Sequence, residues 1–460
     1  FAPLEYGKDF DFSRSFFEQY EEMRVKVPRI SMYQTQSENS DYTIHSGKNR
    51  NCYMGNAMRE CEDVYYADFA QYCKNSMDLY MCSHLENSYF CTDTDECYNS
   101  AYLENCLAVN FSYLCFDCRN ANNLIGCVGL RRKEFMILNK PATKEEFDDI
   151  LAKLKTDRTF KNEFIKKYKE LRLEIPVKYF WDKNSENCSG NYIVNSKNIR
   201  NCYNMRNAED CRFCFDTMDI KDAMDITRCG NGEMVYEVHA AIDLNFSKFC
   251  NLCYQSGEME YCDNCQSSHA CFACVSLKNN TNCILNKQYT PQEYALMVEK
   301  IKDHMRKTEE YGEFFPMKLS PYCYNETKAN DFYPLTKEGV LSKGLKWKDV
   351  DPKQYRPQTY TIPENIKDVT DSICNEVLAC DSCGKNYKII PQELKFYNEN
   401  GYPPPKKCSD CRYKLRVSFQ NPRKLWDRNC MNCGVEIKTT YSPERKEKVY
   451  CEACYLAEIQ

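Results

Sequence analysis

The sequence predicts a mainly β protein: two copies of a narrow, cysteine-lined solenoid unit with α-helical caps, followed by two small zinc-ribbon modules. Three observations predict it. Cysteines recur at multiples of three residues through two long tracts, the segments flanking those tracts repeat at a fixed offset, and the C-terminal segment carries four CxxC pairs.

From Cys52 to Cys127 and from Cys202 to Cys283 every spacing between neighbouring cysteines is a multiple of three, and both tracts share one register. Other positions in phase are small or apolar, among them Met58, Val64, Ala70, Leu79, Leu103, Ile220 and Leu277. Positions out of phase carry Asn51, Glu60, Asp63, Asn75 and Asp93. A helix needs a period near 3.6 and a half-buried strand a period of two, so neither fits. A sustained short period instead implies stacked repeats, each burying its inward residue against its neighbours. Nine-residue steps dominate, which suits a nonapeptide rung or an 18-residue turn with two nonapeptide sides. Asn beside the cysteines suits corners, since it tolerates left-handed backbone. Tyr80, Tyr89 and Tyr98 follow the nine-residue rhythm and are expected on the outer surface as contacts for a partner.

The unit is duplicated. CVGLRRKEFMILNKPATKEEF from Cys127 aligns without a gap on CVSLKNNTNCILNKQYTPQEY from Cys274 at an offset of 147. Upstream, FFEQYEEMRVKVP ending at Pro28 matches EFIKKYKELRLEIP ending at Pro176, and Ser37-Glu38-Asn39 matches Ser185-Glu186-Asn187, at an offset of 148. Helices are expected over about 13–26, 143–155, 160–174 and 290–308 as caps on open strand edges. Thr143 with Glu146 and Thr290 with Glu293 have capping-box spacing. The units span 1–156 and 157–310. A proline- and aromatic-rich linker over 311–373 leads to ribbons at 374–426 and 427–460.

Metal chemistry is strongest in those ribbons. Cys380, Cys383, Cys408 and Cys411 form one set of four thiolates, and Cys430, Cys433, Cys451 and Cys454 form another. Two CxxC knuckles per set satisfy tetrahedral zinc without an open position, giving two structural Zn2+ ions, with rubredoxin-like iron as the competing metal. The tract cysteines read chiefly as unpaired core thiols. Metal or redox roles stay open at Cys250, Cys253, Cys262, Cys265, Cys271 and Cys274; Cys188, Cys323 and Cys374 fall outside both patterns.

Net charge is −5, yet residues 374–460 hold 15 Lys+Arg against 11 Asp+Glu. Lys406, Lys407, Arg412, Lys414, Arg416, Arg423, Lys424 and Arg428 surround Tyr413, Phe419 and Trp426, either as a solvated face or as a nucleic-acid contact surface. The five histidines form no protease or triad motif, His84 and His269 lie outside the inward register, and no glycine-rich phosphate loop occurs. No run of about 18 apolar residues exists, so a membrane span is not expected. Zinc knuckles beside many unpaired thiols fit a reducing cytoplasm. The chain opens on Phe1 rather than Met, so a truncated start is expected.

YGKDFDFSRSFFEQY, the SEN…NCY…EC tract and the tail CGKNYKIIPQELKFYNENGYPPPKKCSDCR…NPRKLWDRNCMNCG…CEACY together resemble a group of uncharacterised cysteine-rich zinc-ribbon proteins of ultra-small candidate-phylum bacteria. The resemblance implies zinc at the eight tail cysteines and supplies no activity. The leading expectation is a cytoplasmic, non-enzymatic zinc protein acting as a scaffold for an unidentified protein partner. The alternatives are a nucleic-acid binder using the basic ribbon and a metal-storage or redox protein using the tract thiols.

Overall fold

The computed structural model describes residues 1–233, 239–245, 251–256, 259–349 and 355–459, the stretches between 228 and 256 by their backbone alone. Both tracts are built of short parallel strands whose partners lie twelve positions apart: Leu79 beside Cys91, Tyr113 beside Ile125, Cys271 beside Cys283. A rung therefore holds twelve residues, not the nine or eighteen that the cysteine spacing suggested. Twelve is four sides of three, and a nine-residue step is three sides, which carries a cysteine to an adjacent column.

Each side repeats one pattern. A residue in left-handed backbone is followed by an inward residue and then an extended one, as in Asn51 (φ 54°), Cys52 and Tyr53. The extended residue bonds to the next rung and the left-handed one to the rung before: Arg50 N–H donates to Cys61 O at 2.9 Å, and Asn51 N–H to Glu38 O at 3.1 Å. Left-handed backbone costs an L-residue about 1–2 kcal/mol, yet Tyr42, Met54, Phe69 and Leu114 adopt it as well as asparagines. The rung-to-rung bonding, rather than residue type alone, holds the corners.

The pattern leaves the inward residue's own N–H pointing into the core, where an unpaired donor is costly. At many inner positions a side-chain heteroatom twelve residues earlier accepts it. Cys61 N–H donates to Asn49 Oδ1 (3.0 Å), Ser88 N–H to Ser76 Oγ (3.0 Å), Ser112 N–H to Ser100 Oγ (3.1 Å) and Val109 N–H to Cys97 Sγ (3.3 Å). The hydroxyl or thiol then donates to the carbonyl two residues before it, as Ser76 to Lys74 O at 2.7 Å and Cys97 to Asp95 O at 3.3 Å. The inner row thus favours small side chains with one heteroatom, which cysteine and serine supply.

One rung is short. At the start of the second tract Asp182 pairs with Ile193 and Lys183 with Val194, a step of eleven, before the step of twelve resumes at Gly190 and Cys202. The missing residue lies between the left-handed Asn187 and Tyr192, and Gly190 takes the compressed corner at φ 134°. The shift places Cys188 in the inner row after all: its thiol donates to Glu186 O at 3.2 Å and it packs on the second core. Both tracts end in the recurring ILNK sequence. Leu138 and Asn139, like Leu285 and Asn286, are left-handed and reverse the chain into an antiparallel pair. The Asn139 side chain closes the last rung by bonding both Val128 N–H (2.9 Å) and Val128 O (2.8 Å), and Asn286 does the same with Val275.

Helices flank the tracts: α1 (Phe16–Lys26), α2 (Lys144–Thr156), α3 (Arg158–Glu174) and α4 (Pro291–Lys307). Both expected capping boxes form, on α2 and α4. Each leading helix packs on the tract that precedes it in a cyclic sense. Phe164 of α3 packs with α2 on the first tract, and Phe16 and Tyr20 of α1 pack with α4 on the second. The matching arginines of the two leading helices each find an acid on the tract they cover, though not at matching positions: Arg172 pairs with Glu104 at 2.7 Å and Arg24 with Asp263 at 3.0 Å. Short helices α5 (Lys328–Phe332) and α6 (Lys337–Leu341) lie in the linker. The C-terminal segment adds α7 (Pro391–Asn400), α8 (Ser409–Val417) and α9 (Glu452–Glu458). Among the described residues no helix is long and apolar enough to cross a membrane.

Candidate metal centre

Two antiparallel pairs set up the cysteine clusters. Leu378–Ala379 pairs with Asn386–Tyr387, placing Cys380 and Cys383 on the turn between, and Trp426–Asn429 pairs with Glu436–Thr439, placing Cys430 and Cys433 likewise. Gly384 (φ 71°) and Gly434 (φ 77°) close these turns, each N–H donating to the first cysteine's carbonyl at 2.9 Å. The second knuckle of each cluster begins a helix: Cys408 is the N-cap of α8 and Cys451 of α9, with Cys411 and Cys454 in the first turn.

All four Sγ atoms of each cluster lie within 4.8 Å of one another. The Sγ–Sγ separation is 3.7 Å between Cys383 and Cys408 and again 3.7 Å between Cys433 and Cys451. A tetrahedron with metal–sulfur bonds of about 2.3 Å has edges of about 3.8 Å, so the donor sets fit a four-coordinate metal. Local electrostatics favour thiolate at the first ligand. Burial opposes ionisation of Cys380, but the N–H groups of Cys408, Ser382 and Cys383 outweigh it and draw the thiol down to about 6. At Cys430 the N–H groups of Cys433, Cys451 and Asn432 outweigh burial in the same way, again to about 6, with Cys451 N–H donating to Sγ at 3.2 Å. Cys383 and Cys433 are exposed, so each cluster has one corner at the surface.

The tract thiols sit differently. Burial pushes Cys52, Cys91 and Cys127 up to about 12 and raises Cys262, Cys265 and Cys274. Hydrogen bonds from the Cys274 and Cys283 thiols draw Cys271 the other way. Cys262, Cys265 and Cys274 are fully buried and donate to carbonyls as the rest of the inner row does. Cys250 lies outside the described residues, and Cys253 is described by its strand backbone alone. Two outcomes follow. A thiol reagent at pH 8 is expected to modify the native inner row far more slowly than the urea-unfolded chain, because reaction needs an exposed thiolate. Cys97→Ala is expected to cost about 1–3 kcal/mol in urea unfolding by leaving Val109 N–H unpaired, whereas Cys97→Ser keeps both bonds and most of the stability.

The basic segment reads in sequence as a surface, and the structure turns much of it inward. Arg412 and Arg416 are buried against Asp78 of the first tract (Nε–Oδ2 2.8 Å, Nη1–Oδ1 2.5 Å), with Glu393 of α7 beside them. Arg423 pairs with Asp216 of the second tract and stacks 3.6 Å from the Phe332 ring centre. Arg428 donates to Ser442 O at 3.1 Å, and Lys406 pairs with Glu364 at 2.8 Å. Lys407, Lys414 and Lys424 remain exposed. Tyr80 and Tyr89 are buried, contrary to their expected surface role, because the C-terminal segment covers both, with Tyr413 against Tyr80 and Phe396, Tyr397 and Tyr402 against Tyr89; Tyr98 alone of the three is exposed. His84 and His269 face outward as expected. The signal that could have found the buried arginines is their helical spacing of four on α8, one face of a helix.

No protein-family model and no curated protein matches the sequence.

Proposed function

We propose that the chain is a zinc-binding, non-enzymatic scaffold of a reducing, cytoplasmic compartment. In this reading its two stacks are rigid solenoids and its two ribbons are structural zinc modules that fasten to them. The observation that carries the reading is the pair of separate four-thiol clusters, each with all its sulfurs within 4.8 Å of one another and one edge of 3.7 Å. Four thiolates leave a metal no open position for substrate, and the ligand softness suits zinc or iron over hard cations. An inner row engaged by backbone hydrogen bonds supports packing over metal storage for the tract cysteines. The burial of Arg412 and Arg416 removes two of the candidate cations from the nucleic-acid reading.

Elemental analysis of anaerobically purified protein is expected to give two zinc ions per chain, with every thiol outside the clusters free after unfolding. A visible thiolate–iron band in place of zinc would assign iron, and several further metals per chain would revive the tract as a store. Absence of stoichiometric metal would overturn the reading.

A further inference from the structure

We propose that each metal cluster is the latch of a clasp onto the first tract, so that metal binding and ribbon docking are thermodynamically linked. The proposal rests on reading the clusters as metal sites. Its basis is a shared geometry: in both ribbons the residue after the fourth cysteine lands on a corner aspartate of the first tract. After Cys411, Arg412 donates to Asp78 Oδ2 at 2.8 Å. After Cys454, the Tyr455 hydroxyl donates to Asp117, and Arg131 Nη2 donates to that hydroxyl at 2.7 Å. Asp78 and Asp117 are both left-handed corner residues, at φ 58° and 51°.

The coupling has a physical route. α8 has nine residues and α9 seven, lengths at which an isolated helix does not persist in water. A metal that fixes the second knuckle fixes the first helical turn, and with it the direction of Arg412 or Tyr455. Arg412 also donates to Lys407 O, the carbonyl just before ligand Cys408, at 3.0 Å, tying the docked side chain to the knuckle. Reciprocity then requires that whatever factor metal adds to docking, docking adds to metal affinity.

The two clasps are unequal. At ribbon 1 the docked cluster of Arg412, Arg416, Asp78 and Glu393 has side chains no more than 4% exposed. At ribbon 2 the side chain after the fourth cysteine reaches the first tract through a single hydroxyl, Val449–Tyr450 pairs instead with Val177–Lys178 outside that tract, and three of the four ligands are at least partly exposed. Ribbon 2 is therefore the site that loses metal first.

The test uses the full-length zinc-loaded chain and a large excess of a chromogenic chelator, following metal release with time. Two phases of one equivalent each are expected. Tyr455→Phe, which removes only the hydroxyl, is expected to accelerate the fast phase by about tenfold and leave the slow one unchanged. Asp78→Asn is expected to accelerate the slow phase by at least about tenfold and leave the fast one unchanged. Unchanged release in both variants, with two zinc ions still bound at the start, overturns the linkage but not the metal sites. Equal acceleration of both phases by either variant reports general loosening and also overturns it. Wild-type protein binding fewer than two zinc ions sinks the metal reading itself.

Discussion

Substituting Gly190 by alanine is expected to be among the most damaging single changes in the chain, lowering unfolding free energy by on the order of 4 kcal/mol. A Cβ on Gly190 would lie 1.7 Å from Cys202 O, 2.8 Å from its carbonyl carbon and 3.0 Å from its N. All three are backbone atoms of the next rung, so no side chain can swing aside. The φ of 134° adds a conformation that L-residues rarely adopt. Both penalties arise from the eleven-residue rung, which draws the chain tight at that corner. A loss of that size is a large share of the 5–15 kcal/mol that stabilises a typical domain. The matched control is Gly344→Ala, also at positive φ (68°) but with nothing within 4 Å of its Cβ, expected to cost about 1 kcal/mol. Urea unfolding followed by tryptophan fluorescence, with Trp181 close by in sequence, measures both. A Gly190→Ala midpoint within error of that control would mean the short rung relaxes freely.

That corner also shows how far the sequence could be read. The offset between the two units falls from 148 at Ser185-Glu186-Asn187 to 147 at Cys274, so the loss of one residue was written in the chain. Its location was not, because a skipped residue moves Cys188 out of the numerical register while leaving it in the physical one. The period of three was legible because one residue in three is buried. Rung length was hidden, since cysteine spacing reports steps between columns and a step of nine is as compatible with a four-sided rung as with a three-sided one. Serines at positions 76, 88, 100 and 112 went unread as core residues. A hydroxyl looks like a surface group until the orphaned inward N–H of the rung above is drawn. The two four-cysteine clusters were legible, since CxxC knuckles bring their thiols together locally. The docking arginines were not, because their partner Asp78 lies 334 and 338 positions away, and in one dimension a cation without its carboxylate reads as a solvated face.

Arg416→Ala is the second change with a large expected effect, a loss of about 3–5 kcal/mol, the usual result of removing one partner from a buried ion cluster. The Arg416 side chain is 1% exposed. One guanidinium nitrogen meets Asp78 Oδ1 at 2.5 Å, another meets Tyr66 O at 3.1 Å, and the group lies 5.3 Å from the Phe90 ring centre. Truncation therefore leaves a fully buried carboxylate with only Arg412 for charge and opens a cavity between α8 and the tract. Lysine is not expected to rescue it. A single ammonium cannot present two fixed donors to an acid and a carbonyl while lying flat over an aromatic ring. Lys414→Ala, two residues away on the exposed side of α8, should stay within about 0.5 kcal/mol of wild type. Hydrogen exchange separates local from global loss: if α8 undocks first, protection falls over residues 66–90 and 391–417 while the second tract keeps its own. Wild-type exchange in Arg416→Ala across that face would show that the apolar contacts of Phe396, Tyr397 and Tyr402 with Tyr89 hold the C-terminal segment without the ion cluster.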